Sequence, residues 1–225
     1  MADAPRRVVL ATRNAGKIAE LARILTAVGG GVQIVGLESF PGAPDVPETG
    51  STFADNALLK ARAIAAYTGL PAVSDDSGLA VDALHGMPGV LSARWAGKHG
   101  DDDANLELLL GQLGDVAERG AAFICVAALV VPDGAVVPDG AVVPDGAVVP
   151  DGAPAPETSE WTTTGVLAGT LTRARRGSNG FGYDPIFVPE GLSTTTAQLS
   201  AAEKDAISHR GRAFRALAPI IAERA

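Results

Sequence analysis

Apolar residues along this chain change their spacing several times, and each change predicts an element. Val8-Val9-Leu10-Ala11 is an unbroken apolar run of strand character, after which Ile18, Leu21, Ala22, Leu25 and Val28 recur at helical spacing until Gly29-Gly30-Gly31 stops them. Gln33-Ile34-Val35 reads as a short strand, and the Pro- and Gly-rich stretch 41–50 as a loop. A second helix is predicted over Ser51 to Thr68, burying Phe53, Ala57, Leu58, Ala61, Ile64 and Ala65, with Gly69-Leu70-Pro71 closing it. Ala72-Val73 begins a strand that ends at Ser74-Asp75-Asp76-Ser77-Gly78, and Asp103 to Leu113 forms a third helix. Two β-runs come next, Ala121 to Val131 and Glu160 to Ala168. Ser200-Ala201-Ala202-Glu203 is a capping box, opening helical sequence that continues to about Ala222. Strands alternating with helices early and neighbouring strands later predict an α/β fold, a mixed sheet with helices packed on it.

One segment departs from this pattern: Val-Val-Pro-Asp-Gly-Ala occurs four times in tandem from Val130 to Ala153. Proline every sixth residue excludes a central strand, and each Pro-Asp-Gly can form a turn with glycine in the left-handed position. The repeat therefore reads as an expanded surface hairpin or loop over 130–153, with poorly fixed register and remote from any chemistry.

Composition narrows the function. At 225 residues and 47% hydrophobic, the chain can bury a sizeable core. No run approaches the roughly 18 to 20 apolar residues of a membrane span, so a soluble, cytoplasmic protein is expected. A formal net charge of −8 argues against a nucleic-acid polymer or an anionic membrane as partner. Any phosphate site must then be local and preorganised. The single cysteine, Cys125, sits in an apolar run and reads as an inert core residue. Three scattered histidines, His85, His99 and His209, give no zinc pattern, and no G-x-S-x-G elbow marks a serine hydrolase.

Against fourteen arginines there are four lysines, and three of them, Lys17, Lys60 and Lys204, fall inside short polar motifs. Thr12-Arg13-Asn14-Ala15-Gly16-Lys17 joins the first strand to the first helix. Backbone N–H groups at a helix start, a glycine allowing close approach, and donors from Thr12, Asn14 and Lys17 suit a polyanion. The spacing does not fit G-x-x-x-x-G-K-[ST], which disfavours an ordinary P-loop. A capping Asn beside an exposed Lys would look the same in isolation. Asp75 and Asp76 at a strand end, and Glu48 ahead of the helix carrying Asn56 and Lys60, supply carboxylates. Two or three oxygens from these carboxylates with substrate phosphate oxygens suit Mg²⁺, although an Asx-turn equally accounts for Asp-Ser-Gly. Gly180-Phe181-Gly182-Tyr183-Asp184 places aromatics between glycines, either to stack on a base with Asp184 accepting from a ring N–H, or as a tight turn packed on the core. Lys204, Ser208, His209 and Arg210 lie on the last helical stretch, as donors to a nucleotide or as an ordinary solvated face.

Taken in order, Ala11 to Lys17, Glu48-Thr49-Gly50 with Asn56 and Lys60, Ser74 to Leu79, Gly180 to Phe187, and Ile207 to Gly211 closely resemble the inosine-triphosphate pyrophosphatase family of the HAM type. The resemblance covers nearly the whole chain and rests on five ordered motifs. It implies an elongated α/β domain, residues 1–225, with a mixed sheet flanked by helices and two lobes around a central cleft. It also implies a homodimer, and Mg²⁺-dependent hydrolysis of ITP, dITP and XTP to the monophosphate and pyrophosphate. Carried over residue by residue, Thr12, Arg13, Asn14, Ala15, Gly16 and Lys17 would hold the triphosphate. Glu48 and Asp76 would bind Mg²⁺, and Asp76 would accept the proton of the attacking water. Ser77, Phe181, Gly182, Tyr183, Asp184, Lys204, His209 and Arg210 would contact the nucleotide, with Phe181 against the purine and Lys60 as a further phosphate contact. Two other readings stay open: a Maf-like pyrophosphatase acting on modified pyrimidine or methylated nucleotides, and a nucleotide-binding regulator that does not hydrolyse.

Overall fold

The structure is a computed structural model that describes residues 6–12, 24, 32–132 and 158–225. Its strands are β1 (Arg6–Leu10), β2 (Val32–Gly36), β3 (Ala72–Val81), β4 (Gly120–Pro132), β5 (Thr158–Leu171) and β6 (Phe187–Pro189). Its helices are α1 (Phe53–Thr68), α2 (Asp102–Leu113), α3 (Ala201–Ile207) and α4 (His209–Arg224). Together the strands make one six-stranded sheet in the order β2-β1-β3-β4-β5-β6. It is mixed, as the alternation of elements predicts: β1 runs parallel to both β2 and β3, whereas β5 and β6 are antiparallel.

Two compact units divide the chain, and the division falls between Asp75 and Asp76 inside β3. The first contains residues 1–75, 127–163 and 214–225, and its core joins Val9, Val35 and Ala72 of the sheet to Ala57, Ala61, Ile64 and Ala65 of α1. Alanines recur on that face of α1, which lets the helix lie close against the strands. Thr52 and Asp55 cap the helix reciprocally, and Gly69 ends it in the left-handed conformation at φ 67°. The second unit, residues 76–126 and 164–213, has a core of larger side chains: Leu79, Leu106, Leu109, Phe123, Ile186 and Phe187. Cys125 is buried, in line with its apolar neighbours.

Three sequence expectations change. Residues 74–78 do not end a strand; β3 continues through them to Val81, with Ser74, Asp75 and Asp76 all buried. Paired acids look like a loop on hydropathy alone, but the apolar Leu79-Ala80-Val81 beyond them carries the strand on. The helical sequence expected from Ser200 to about Ala222 resolves into two helices, interrupted at Ser208, whose backbone is extended (φ −60°, ψ 144°). Ser208 caps the start of α4: its Oγ accepts from Gly211 N–H at 2.8 Å and its carbonyl from Arg212 N–H at 3.0 Å. Finally, β5 begins at Thr158 and runs on to Leu171, three residues past the expected end.

The helix expected between residues 17 and 28 lies outside the described residues except for Ile24, which is helical and buried. Of the hexapeptide repeat, Val130, Val131 and Pro132 complete β4, and the rest also lies outside them. No described helix is long and apolar enough to cross a membrane.

Candidate active site

In the first unit, Thr12 lies two residues past the end of β1, with the intervening Ala11 N–H bonded to Val73 O at 2.7 Å. The remainder of the expected triphosphate loop, Arg13, Asn14, Ala15, Gly16 and Lys17, lies outside the described residues. The Glu48 loop is built from α1. Lys60 Nζ donates to Glu48 Oε1 at 2.6 Å, and the fully buried Asn56 accepts Gly50 N–H at 2.8 Å through its side-chain oxygen. A side chain on Gly50 would place its Cβ 2.4 Å from Asp55 Cβ and 2.8 Å from Asn56 Oδ1, so only glycine fits. Lys60, expected to offer a phosphate contact, thus orients Glu48. Asn56, which the sequence showed only as a polar neighbour of Lys60, is the anchor of the loop. Further along β3, the Ser74 hydroxyl donates to Ala57 O and ties the strand to α1.

In the second unit, Asp76 is buried on β3, with Oδ1 accepting the Ser77 N–H at 2.9 Å. Arg210, in the first turn of α4, donates from Nη2 to Ser77 Oγ at 2.8 Å. Its guanidinium also stands 5.4 Å from the centroid of the Phe181 ring, and Lys204 Nζ stands 4.8 Å from it. Phe181 is 53% exposed, a large aromatic face held out of the core beside two cations. Beneath it, Asp184 is buried and fully engaged: Oδ2 accepts Phe181 N–H at 2.8 Å and pairs with Lys204, while Oδ1 accepts from the Thr196 hydroxyl at 2.8 Å. Gly180 has φ +78°, and a Cβ there would sit 2.1 Å from Asp184 Oδ2.

The flanking residues divide between two roles. Tyr183 belongs to the core, its hydroxyl bonded to Ser92 O at 2.9 Å, and burial pushes its phenol well above the usual range. Gly182 N–H donates to Asp102 Oδ2 at 2.8 Å, and buried His209 stacks on Phe123 with centroids 5.0 Å apart. Ser77, Phe181, Asp184, Lys204 and Arg210 are therefore brought together as expected. Asp184 also has both oxygens engaged by protein donors, which makes it the clamp of the aromatic loop. Thr196 and Ser92, which complete this arrangement, carried no signal beyond their polarity.

The carboxylates fit a magnesium ion in kind. Among the described residues no cluster of three or more acidic, histidine or cysteine side chains could enclose a metal. Glu48 and Asp76 offer hard oxygen donors, one steadied by Lys60 and the other by a backbone amide. Magnesium is held in that manner, through one or two carboxylates completed by phosphate oxygens and water.

A sheet of this topology, bearing a glycine-flanked aromatic beside two cations and a buried acid, defines a nucleotide-handling α/β protein. The chain belongs to the Ham1 family, whose model matches residues 8–220. A dITP/XTP pyrophosphatase of Streptomyces coelicolor is 54% identical over 219 residues, which cover 96% of this chain and 98% of that protein. The nucleoside-triphosphatase, dITP/XTP pyrophosphatase, of Mycobacterium abscessus superposes with a TM-score of 0.72 at 49% identity, covering 96% of this chain and 99% of that one. The Ham1 protein of Staphylococcus aureus superposes with a TM-score of 0.78 at 36% identity, covering 98% and 100%. The family resemblance of the five motifs and the mixed α/β sheet both stand.

Proposed function

We propose that this chain is a magnesium-dependent nucleoside triphosphate pyrophosphohydrolase. It converts dITP, ITP and XTP to the monophosphate and pyrophosphate, removing deaminated purines from the cytoplasmic nucleotide pool. One observation carries this reading: Arg210 bonds to Ser77, the neighbour of Asp76, while standing over the exposed Phe181 ring. A single guanidinium thus links a surface on which a purine can stack to the acid suited to activating water. The names of the relatives support the substrate class.

The chemistry is attack at the α-phosphorus. Asp76 takes the proton of the water, the new oxygen–phosphorus bond forms, and the bond from the α-phosphorus to the bridging oxygen breaks, releasing pyrophosphate. Glu48 and Asp76 would hold Mg²⁺, which neutralises triphosphate charge and stabilises the departing pyrophosphate. Thr12 to Lys17 hold the triphosphate, and Phe181 with Lys204, His209 and Arg210 receive the base. Donors aimed at a 6-carbonyl oppose the 6-amino group of adenine, and unpaired buried donors are costly, so ATP is rejected.

Incubation with Mg²⁺ and ITP, dITP, XTP, GTP, ATP or dUTP, resolving pyrophosphate from orthophosphate, tests the reading. Monophosphate plus pyrophosphate from the inosine and xanthosine nucleotides, with little from ATP and GTP, is expected. Orthophosphate release or a dUTP preference overturns it. The active species is proposed to be a homodimer, on the family resemblance. Light scattering that reads a mass of 22.7 kDa, that of one chain, overturns this.

A further inference from the structure

The Phe181 ring is half exposed, so packing alone does not aim it; the backbone must. Its neighbours Gly180 and Gly182 both have positive φ, at 78° and 58°, and give the loop no side-chain restraint on either flank. What fixes Phe181 is a pair of hydrogen bonds on successive amides. Its own N–H is held by Asp184 Oδ2 at 2.8 Å, and the next, Gly182 N–H, by Asp102 Oδ2 at 2.8 Å. Each bond orients one peptide plane. With the planes on both sides of the Phe181 Cα fixed, the direction of its Cα–Cβ bond is fixed too.

The two carboxylates differ in their other duties. Asp184 is buried and shared with Lys204 and Thr196. Asp102 is exposed at the first residue of α2, and among the described residues its side chain makes no other hydrogen bond. Its platform is firm. Asp101 Oδ1 caps α2 by accepting Ala104 N–H at 3.3 Å, and Arg175, just before the aromatic loop, pairs with Asp103 and with Glu107 at 2.9 Å. Arg175 thus ties the helix to the segment leading into the loop, on one side of the Gly182 bond.

We propose that Asp102 is a positioning residue for nucleotide binding, holding Gly182 so that the Phe181 ring is presented to the purine. This rests on the reading of Phe181 as the surface that receives the base. A stacking platform serves ground state and transition state alike, so its loss raises KM and leaves kcat nearly unchanged.

The test compares Asp102→Ala with Asp102→Asn. Both remove the negative charge from the start of α2, but asparagine keeps an oxygen that can accept from Gly182. Steady-state kinetics with ITP are read beside hydrogen exchange of a peptide spanning residues 178–186. Asp102→Ala is expected to raise KM about 5- to 10-fold with kcat within about twofold, and to speed exchange in that peptide. Asp102→Asn is expected to stay within about twofold of the parent in KM and to keep the parent's exchange. The proposal is overturned by an alanine variant with unchanged KM or unchanged exchange, or by an asparagine variant as impaired as alanine, which would assign the effect to helix charge. Failure of the parent protein to turn over ITP overturns the functional reading instead, and the exchange comparison still decides whether Asp102 holds the loop.

Discussion

Each unit contains a lysine paired with a carboxylate, and the two pairs are built for different ends. Lys204 and Asp184 form a pair in which the acid's side chain is only 3% exposed, and that acid also holds Thr196 and the Phe181 amide. Lys60 and Glu48 meet at 2.6 Å, but the Glu48 side chain is 25% exposed on a loop outside any helix or strand. A buried, fully bonded carboxylate is a structural fixture, because removing any donor strands charge in a poor solvent. A partly hydrated carboxylate can exchange partners at little cost, as a ligand of a metal must. Between these two pairs it is burial, and not residue type, that sets how freely the acid can change partners.

The largest effect is expected where neither pair is touched. Asp76→Asn should lower kcat for ITP by about 10²-fold or more, as for loss of a general base, with the melting temperature close to the parent's. Near-full activity would remove Asp76 from the chemistry. Next, Asp184→Ala should cost stability of about 2–4 kcal/mol by urea unfolding and raise KM for ITP by about 30-fold, since three donors lose one acceptor. Glu48→Gln should behave in the opposite way, leaving stability within about 1 kcal/mol while the magnesium concentration for half-maximal rate rises by about tenfold. If Glu48→Gln destabilises the protein as much as Asp184→Ala, the contrast between the two pairs fails.

The smallest effect marks the exposed limit of the series. Arg62 and Glu160, in the same unit as Glu48, make a two-pronged pair at 2.7 Å for each bond, with Arg62 49% exposed. The hydrogen bond from Arg62 lowers the Glu160 pKa below its ordinary 4.5. Such a group contributes stability that is present above about the unfolded value of 4.5 and is lost as pH falls through the lower folded value. Arg62→Gln should therefore cost less than about 1 kcal/mol at pH 7, and the difference from the parent should vanish in acid. A difference that persists or grows in acid would contradict the pairing.

Elements set by local signals were legible in the sequence. The apolar run of β1, the face of α1 and its glycine stop, and the capping box at Ser200 each act over a few residues, and all lie where their patterns place them. The site was legible as a set of motifs, and the joining of Ser77, Phe181, Lys204 and Arg210 matched those motifs. What was not legible depended on partners distant in sequence. Asp75 and Asp76 read as the end of a strand because nothing local says that β3 will continue through them to Val81. The clamping role of Asp184 was not legible because its partners are distant: Thr196, 12 residues away, and Lys204, 20 residues away. The pairing of Lys60 was not legible because its partner Glu48 lies 12 residues upstream. Ser208 alone had a readable signal: a serine followed by polar residues and then an apolar stripe is also a helix start, but the capping box at Ser200 offered an earlier one.

The break at Ser208 has an angular consequence. In one continuous helix, at about 100° per residue, Lys204 and Arg210 would project roughly 120° apart and could not both face one ring. The single extended residue resets the rotation between α3 and α4, and both cations come within 5.4 Å of the same phenyl centroid. The placing of both cations at one aromatic face is thus set by the twist between two helices, as the offset between two gears is set by the tooth where they meet. One residue added or removed at that joint would turn one cation away while leaving every side chain of the site in the sequence.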